Sequence, residues 1–235
     1  IYFFSIFTTM KILLTTPLYP REIADIAVYS KKLAEKLSII HEVSLLTYAN
    51  HPLKTDAFLL RYALKNQHVF KRIVDYIKIL WSEVVRNDII ILQTGTSAAF
   101  PAFIISKIKS KKIIFRFFED ESIERKKNTT NKCKLQLIKI IQKVILKYSN
   151  IVICSSKNLQ NNLIKNYKVK KDSIRLILDP QKREVELPFS RDEVSENLKK
   201  LQYVSDILNK GNEDGKISWD EHIEELKQII QHMSY

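Results

Sequence analysis

The chain has 235 residues, 45% of them apolar and 28% charged, and its 39 Lys/Arg against 26 Asp/Glu leave a net charge of +13. That apolar content can offset chain entropy, which excludes a disordered polybasic tail as the whole molecule. Only three residues are glycine, one of them before residue 211, so a G-x-G-x-x-G or P-loop phosphate cradle is excluded.

In chain order, IYFFSIFTT at residues 1–9 is an apolar extension without the basic start and small-residue cleavage site of a signal peptide. Met10 is the expected natural start, or the nine residues prolong the first strand. Lys11–Thr16 (KILLTT) is a short apolar run, as expected for a strand buried on both faces. After a turn with Pro17 and Pro20, apolar residues near helical spacing predict a helix over Ile26–Leu37. A strand is predicted at His41–Thr47, an amphipathic helix over Val69–Val85 and a strand at Asp88–Leu92. A helix follows over Ala98–Ile108, with Pro101 in its first turn. The series closes with a strand at Lys112–Phe117, a helix over Leu135–Tyr148, a strand at Ile151–Cys154, a helix over Ser156–Tyr167 and a strand at Ser173–Leu178.

Strand and helix alternating in this way predict a doubly wound, Rossmann-like parallel sheet with helices on both faces. Ligands of such sheets sit beyond the carboxyl ends of the strands. The segments that matter are therefore Pro17–Asp25, Gln93–Ser97, Phe118–Ser122, Ser155–Lys157 and Asp179–Pro180.

Charge is unevenly spread. Residues 1–180 carry net +17 and residues 181–235 net −4, and Arg125–Lys171 holds 13 basic residues without one Asp or Glu. Such a run attracts a polyanion, an anionic membrane or a phosphorylated substrate, or is a solvated surface. On the helix near 132–147, Lys132, Gln136, Lys139, Lys143 and Lys147 form one polar stripe beside Leu135, Ile138, Ile141, Ile145 and Tyr148, while Leu137, Ile140 and Val144 extend the apolar side. This suits an interfacial helix on an anionic membrane and equally a core-facing helix with a solvated edge. Nucleic acid is disfavoured, because Tyr148 and Tyr167 alone offer stacking there. Cys133 and Cys154 make neither a disulfide framework nor a metal site. No cofactor or metal is expected, and the thiols read as reduced and cytoplasmic.

The stretches MKILLTTPLYPREIADIAVYSKKLAEKLSIIHEVSLLT, DIIILQTGTSAAFPAFIISKI, KKIIFRFFEDES and KYSNIVICSSKNLQNNLIKNYKVKKDSIRLILDP resemble, in order, the N-terminal domain of a GT-B fold glycosyltransferase of the family 4 type. The tail SRDEVSENLKKLQYVSDILNKGNEDGKISWDEHIEELKQII is similar to that family's extreme C-terminus, whose last helices return to the first domain. The resemblance implies an N-terminal extension at 1–9, a Rossmann-like domain at 10–180 and a helical tail at 181–235. Most of the donor-holding second domain is absent from the pattern.

The resemblance implies sugar transfer from a nucleotide-sugar donor to a glycan or lipid-linked acceptor. The chain by itself is then incomplete or weakly active, and peripheral on the inner face of the membrane. The alternative is a non-catalytic subunit of a split enzyme, binding an acceptor, a membrane or a partner chain that supplies the donor domain. Carried over residue by residue, the family's Gly-Gly pair matches Ala24-Asp25, where a carboxylate repels a ligand phosphate. Gln93, with Thr94 and Gly95 after it, falls near the acceptor. The family's cleft His-Gly matches Phe118-Glu119, so the histidine is absent. Glu119 or Asp120 could act as a general base on a sugar hydroxyl, or the two are solvated loop charges. Arg116 and Lys157 are candidate anion ligands at strand ends. Ser155 with Lys157 opens a helix where anions bind, and plain N-capping by Ser155 or Ser156 is the simpler reading. Glu213 and Glu221 have E-x7-E spacing in the wrong context. His41 reads as structural, and His51, His68, His222 and His232 as surface residues.

Overall fold

The computed structural model describes residues 9–20, 25–118, 132–180 and 217–234. Seven strands form one sheet in the order β3-β2-β1-β4-β5-β6-β7, every pairing parallel. They are β1 (Lys11–Thr15), β2 (Glu42–Ala49), β3 (Leu59–Leu64), β4 (Ile89–Gln93), β5 (Lys112–Phe117), β6 (Ile151–Cys154) and β7 (Ile174–Leu176). Six helices connect and close them: α1 (Asp25–Ser38), α2 (Val69–Arg86), α3 (Thr96–Ile108), α4 (Lys132–Tyr148), α5 (Lys157–Lys165) and α6 (Trp219–Ser234).

Period-2 side-chain alternation sends each buried strand into two cores. Leu13, Ile90, Leu92, Ile113 and Phe115 join the core under α2–α5. Ile12, Leu14, Ile89, Ile91 and Ile114 join the core under α1 and α6. Because both faces are covered, the strands read as unbroken apolar runs. β3 escaped that reading. Only Ala63 of its six residues is buried, and Arg61 interrupts the apolar pattern. It is an edge strand held by pairing with β2 and by α2.

Pro101 is a second correction. α3 begins at Thr96, two residues earlier than expected, so Pro101 is the sixth helical residue and lies past the first turn. Its missing N–H frees the carbonyl four residues back, and the Tyr48 hydroxyl donates to that Ser97 oxygen at 3.3 Å.

α6 returns to the sheet, as the tail's resemblance implied. Ser218 and Glu221 form a capping box: the Ser218 N–H donates to Glu221 Oε2 at 2.8 Å and the Glu221 N–H to Ser218 Oγ at 3.2 Å. Trp219, Ile223, Leu226, Ile230 and Met233 pack into the α1 core, and Lys36 pairs with Asp220 at 2.8 Å. No described helix is long and apolar enough to cross a membrane.

Candidate functional site

The strand order reverses between β1 and β4, and the connections after these strands meet there. In doubly wound sheets that switch point is where the crevice for ligands opens. Gly95 follows β4 at φ +132°, a conformation costly for any other residue. A Cβ placed on it would lie 2.5 Å from Pro17 Cγ, so only glycine lets the two loops close on each other. Gly95→Ala is expected to lower stability by about 3 kcal/mol from combined backbone strain and overpacking, read as a shift in urea midpoint.

Beneath this contact lies a buried polar cluster. Ser30 Oγ of α1 lies 2.6 Å from Gln93 Oε1 and 3.1 Å from Thr16 Oγ1 and also contacts the Ile26 carbonyl, so its single hydroxyl proton is contested among these acceptors. These contacts use the oxygen of the Gln93 amide. Its Nε2 is buried and finds no hydrogen-bond partner among the described residues.

Gln93 pairs in register with Arg116 on β5, so both side chains project from the same face of the sheet, toward α1. The Arg116 guanidinium lies 3.6 Å over the Tyr29 ring and 5.1 Å from the Phe118 ring, and its Nη2 pairs with Asp179. Its Nη1 is buried and, like Gln93 Nε2, unpartnered among the described residues. Thr94 ties the two strand ends together: its Oγ1 accepts from the Phe118 N–H at 2.9 Å and donates to the Arg116 carbonyl at 3.2 Å. Two donors on register-paired strand ends are thus left without a partner among the described residues, at the carboxyl edge of the sheet, where doubly wound sheets in general bind ligands. Each orphan costs about 1–3 kcal/mol, a cost that a ligand oxygen would relieve.

α6 closes the far side. Tyr29 OH and His222 Nε2 are 2.6 Å apart, and His222 Nδ1 is 2.8 Å from the Leu178 carbonyl. A carbonyl only accepts, so Nδ1 carries the proton and the Tyr29 hydroxyl donates to Nε2. His222 is 1% exposed, which corrects its reading as a surface residue. Its place was legible in the spacing of Trp219, His222, Leu226 and Ile229 along one helix face. Tyr29 and Ser30 were missed as site residues, and Asp179, within a strand-end segment singled out in the sequence, was given no role, because only the packing of α1 and of the segment after β7 brings them together around Arg116 and Gln93.

Burial and the Arg116 charge hold the His222 imidazole down to about 4, and burial pushes the Tyr29 hydroxyl up to about 12. The unfolded chain takes up the His222 proton near 6.5 and the folded protein only near 4. That contribution is whole above pH 6.5 and is lost as pH falls toward 4. The gap is worth roughly 3 kcal/mol. Arg116 and Asp179 face this ring, with Tyr29 donating to it. In denaturation from pH 7 to 4, His222→Gln is expected to start less stable and to lose less than the parent.

The other sequence candidates divide. Asp25 opens α1, where its carboxylate suits the helix N-terminus; Ala24 lies outside the described residues, as do Glu119 and Asp120. Ser156 N-caps α5 by accepting from the Leu159 N–H at 3.2 Å, with Ser155 half-buried before it and Lys157 exposed as the first helical residue. Lys132, Lys139, Lys143 and Lys147 are all exposed on α4. Leu137 and Ile140 are also exposed, whereas Ile138, Ile145, Leu146 and Gln142 face the core. Glu221 serves the α6 cap. A depression of about 390 Å³ lined by Arg61, Tyr62, Glu83 and Arg86 lies at the β3 edge, away from the switch point.

No protein-family model matches the chain, and neither does any curated protein. Among solved structures, the Anabaena protein HepE, crystallised with UDP and glucose, matches at 12% identity and TM-score 0.54, covering 82% of this chain and 50% of that one. Sucrose-phosphate synthase from Thermosynechococcus elongatus matches at 11% identity and TM-score 0.53, covering 73% and 48%. UDP-GlcNAc 2-epimerase from Methanocaldococcus jannaschii matches at 11% identity and TM-score 0.49, covering 72% and 45%. The chain spans about half the length of these structures. At such identities the likeness to the first two shows the fold alone, the Rossmann-like α/β unit that the sequence pattern predicted.

Proposed function

We propose that the chain acts in sugar transfer from a nucleotide-sugar donor, with the carboxyl ends of β4 and β5, beside the switch point, taking a hydroxyl or phosphate oxygen of a sugar. The observation that carries this reading is the pair of buried donors, Gln93 Nε2 and Arg116 Nη1, on register-paired strand ends, neither with a partner among the described residues. A neutral amide beside a guanidinium suits an oxygen-rich ligand, since each donates and neither competes as an acceptor from those atoms. The fold shared with a protein solved with UDP and glucose supports the same ligand class. Glu119 and Asp120, next in the chain after Phe118, are the proposed source of the general base. A lipid-linked or glycan acceptor is the finer reading.

In the family that the sequence resembles, the donor is held by a second domain. Purified protein is therefore expected to transfer sugar weakly or not at all from UDP-glucose, with activity appearing when a donor-binding chain is added. Robust turnover by the purified chain alone would contradict this. The second reading, a non-catalytic binding subunit, is favoured by Asp25 at the start of α1, which sets a carboxylate where a donor phosphate approaches in the family. Asp25→Gly separates the two: a gain in UDP-glucose affinity supports the enzyme, and no change supports the subunit.

A further inference from the structure

The two helical layers of the molecule differ in chemistry. Helices α2–α5, which cover one face of the sheet, carry twelve Lys/Arg against two acids, Asp75 and the buried Glu83. Helices α1 and α6, on the other face, carry four Lys/Arg against six acids. Exposed apolar residues follow the positive charge. Of the fifteen large hydrophobics exposed among the described residues, eleven lie on α2, α3 and α4 and none on α1 or α6.

These residues are arranged in rows. On α2, Phe70, Ile73, Ile77, Trp81 and Val85 step by three or four residues and form one stripe, with Phe70 73% exposed. α3 packs beside α2 and adds Ile104 and Ile108. The two stripes meet at their carboxyl ends, where Lys109 lies 4.3 Å over the Trp81 ring and Lys111 Nζ donates to the Val85 carbonyl at 3.1 Å. α4, in contact with α3, adds Leu137, Ile140 and Tyr148 between its five lysines.

We propose that the outer face of α2, α3 and α4 docks on an anionic lipid bilayer. Burying exposed Ile, Phe and Trp at the headgroup boundary removes apolar surface from water, and the surrounding lysines face lipid phosphates, the combination that defines interfacial helices. Each basic residue near such a surface adds to the attraction, and the acidic opposite layer orients the molecule with this face toward it. Trp81 beneath a lysine is the expected interfacial anchor. A nucleic acid would use the charge but leave the aliphatic stripe unsatisfied, since Ile and Val do not stack on bases. The proposal is independent of sugar transfer, and its test contains no sugar.

The test is co-sedimentation of the full chain with phosphatidylcholine vesicles and with vesicles containing 30% phosphatidylglycerol. Binding to the anionic vesicles is expected, at least tenfold weaker to the neutral ones. The double variant Phe70→Ser, Trp81→Ser and the triple variant Lys139→Glu, Lys143→Glu, Lys147→Glu are each expected to weaken it at least tenfold. Their melting curves should stay within a few degrees of the parent, because the replaced side chains are exposed. Absence of binding to anionic vesicles would overturn the proposal, as would binding that withstands the Phe70/Trp81 change. So would tighter binding to single-stranded DNA with the same variant dependence. A dimer that the Phe70/Trp81 variant splits while vesicle binding persists would assign the face to a second copy instead.

Discussion

Arg116→Met is expected to weaken sugar-phosphate binding tenfold or more, while changing stability by only about 1 kcal/mol. The two effects separate because of how Arg116 is held. Its guanidinium gives one nitrogen to Asp179 and spreads over the Tyr29 ring, but leaves Nη1 buried without a partner among the described residues. Methionine keeps most of the stem's volume and removes that orphan, a gain of about 1–3 kcal/mol that offsets the lost cation–π contact of about 1–2 kcal/mol. Asp179 is 40% exposed and rehydrates. A residue kept only for stability would show the opposite: a large drop in midpoint and unchanged binding. Arg116→Lys is the sharper control, since a point charge on a flexible stem cannot present two donors in one plane. Titration of glucose 1-phosphate by calorimetry, beside urea unfolding of each variant, reads both quantities.

Trp219→Ala is expected to cost about 3–5 kcal/mol, the range for emptying a large aromatic site, and to lower the melting temperature by about 10 °C. Trp219 is 2% exposed, its ring lies 5.4 Å from Tyr29 and 5.8 Å from His222, and it begins the helix that closes the α1 core. Losing it loosens α6 from α1 at the place where Tyr29 supports Arg116. Binding of glucose 1-phosphate should therefore weaken along with stability, unlike the effect of Arg116→Met. Trp219→Phe should recover most of both. Calorimetric melting with a parallel titration decides the matter.

How far the sequence reached depends on what each element buries. β1, β4, β5 and β6 lie within the sheet with helices on either side, so their residues had to be apolar in unbroken runs, and those runs were visible. β3 pairs along one edge only and buries Ala63 alone, so a strand with Leu59, Tyr62 and Leu64 exposed looked like loop. The carboxyl ends of β4 and β5 were found because parallel sheets put ligands there, which brought Gln93, Thr94, Gly95 and Arg116 onto the page before any coordinates. Their roles were not legible. Nothing in the residue string says that Ser30 takes the oxygen of the Gln93 amide and leaves the nitrogen, or that Gly95 is fixed by the ring of Pro17. His222 was misread because a histidine in an acidic helix looks solvated, although its spacing from Trp219 and Leu226 put it on the buried face. The helix over Val69–Val85 was read as amphipathic, without saying which apolar residues are buried. Tyr76, Leu80 and Val84 are core, while Ile73, Ile77 and Trp81, one flank over, remain exposed.

The central claim is that Gln93 Nε2 and Arg116 Nη1 receive an oxygen of a sugar ligand. Nitrogen-15 NMR of the side-chain amide of Gln93 and the guanidinium of Arg116 tests it most directly, during titration with glucose 1-phosphate and with UDP-glucose. The account predicts that both side-chain signals move together and saturate in at least one titration, with smaller shifts at Thr94, Phe118 and Tyr29 and none along α2. Shifts confined to the β3 edge around Arg61 and Arg86, or to the start of α5, with Gln93 and Arg116 unmoved at millimolar ligand, would contradict it.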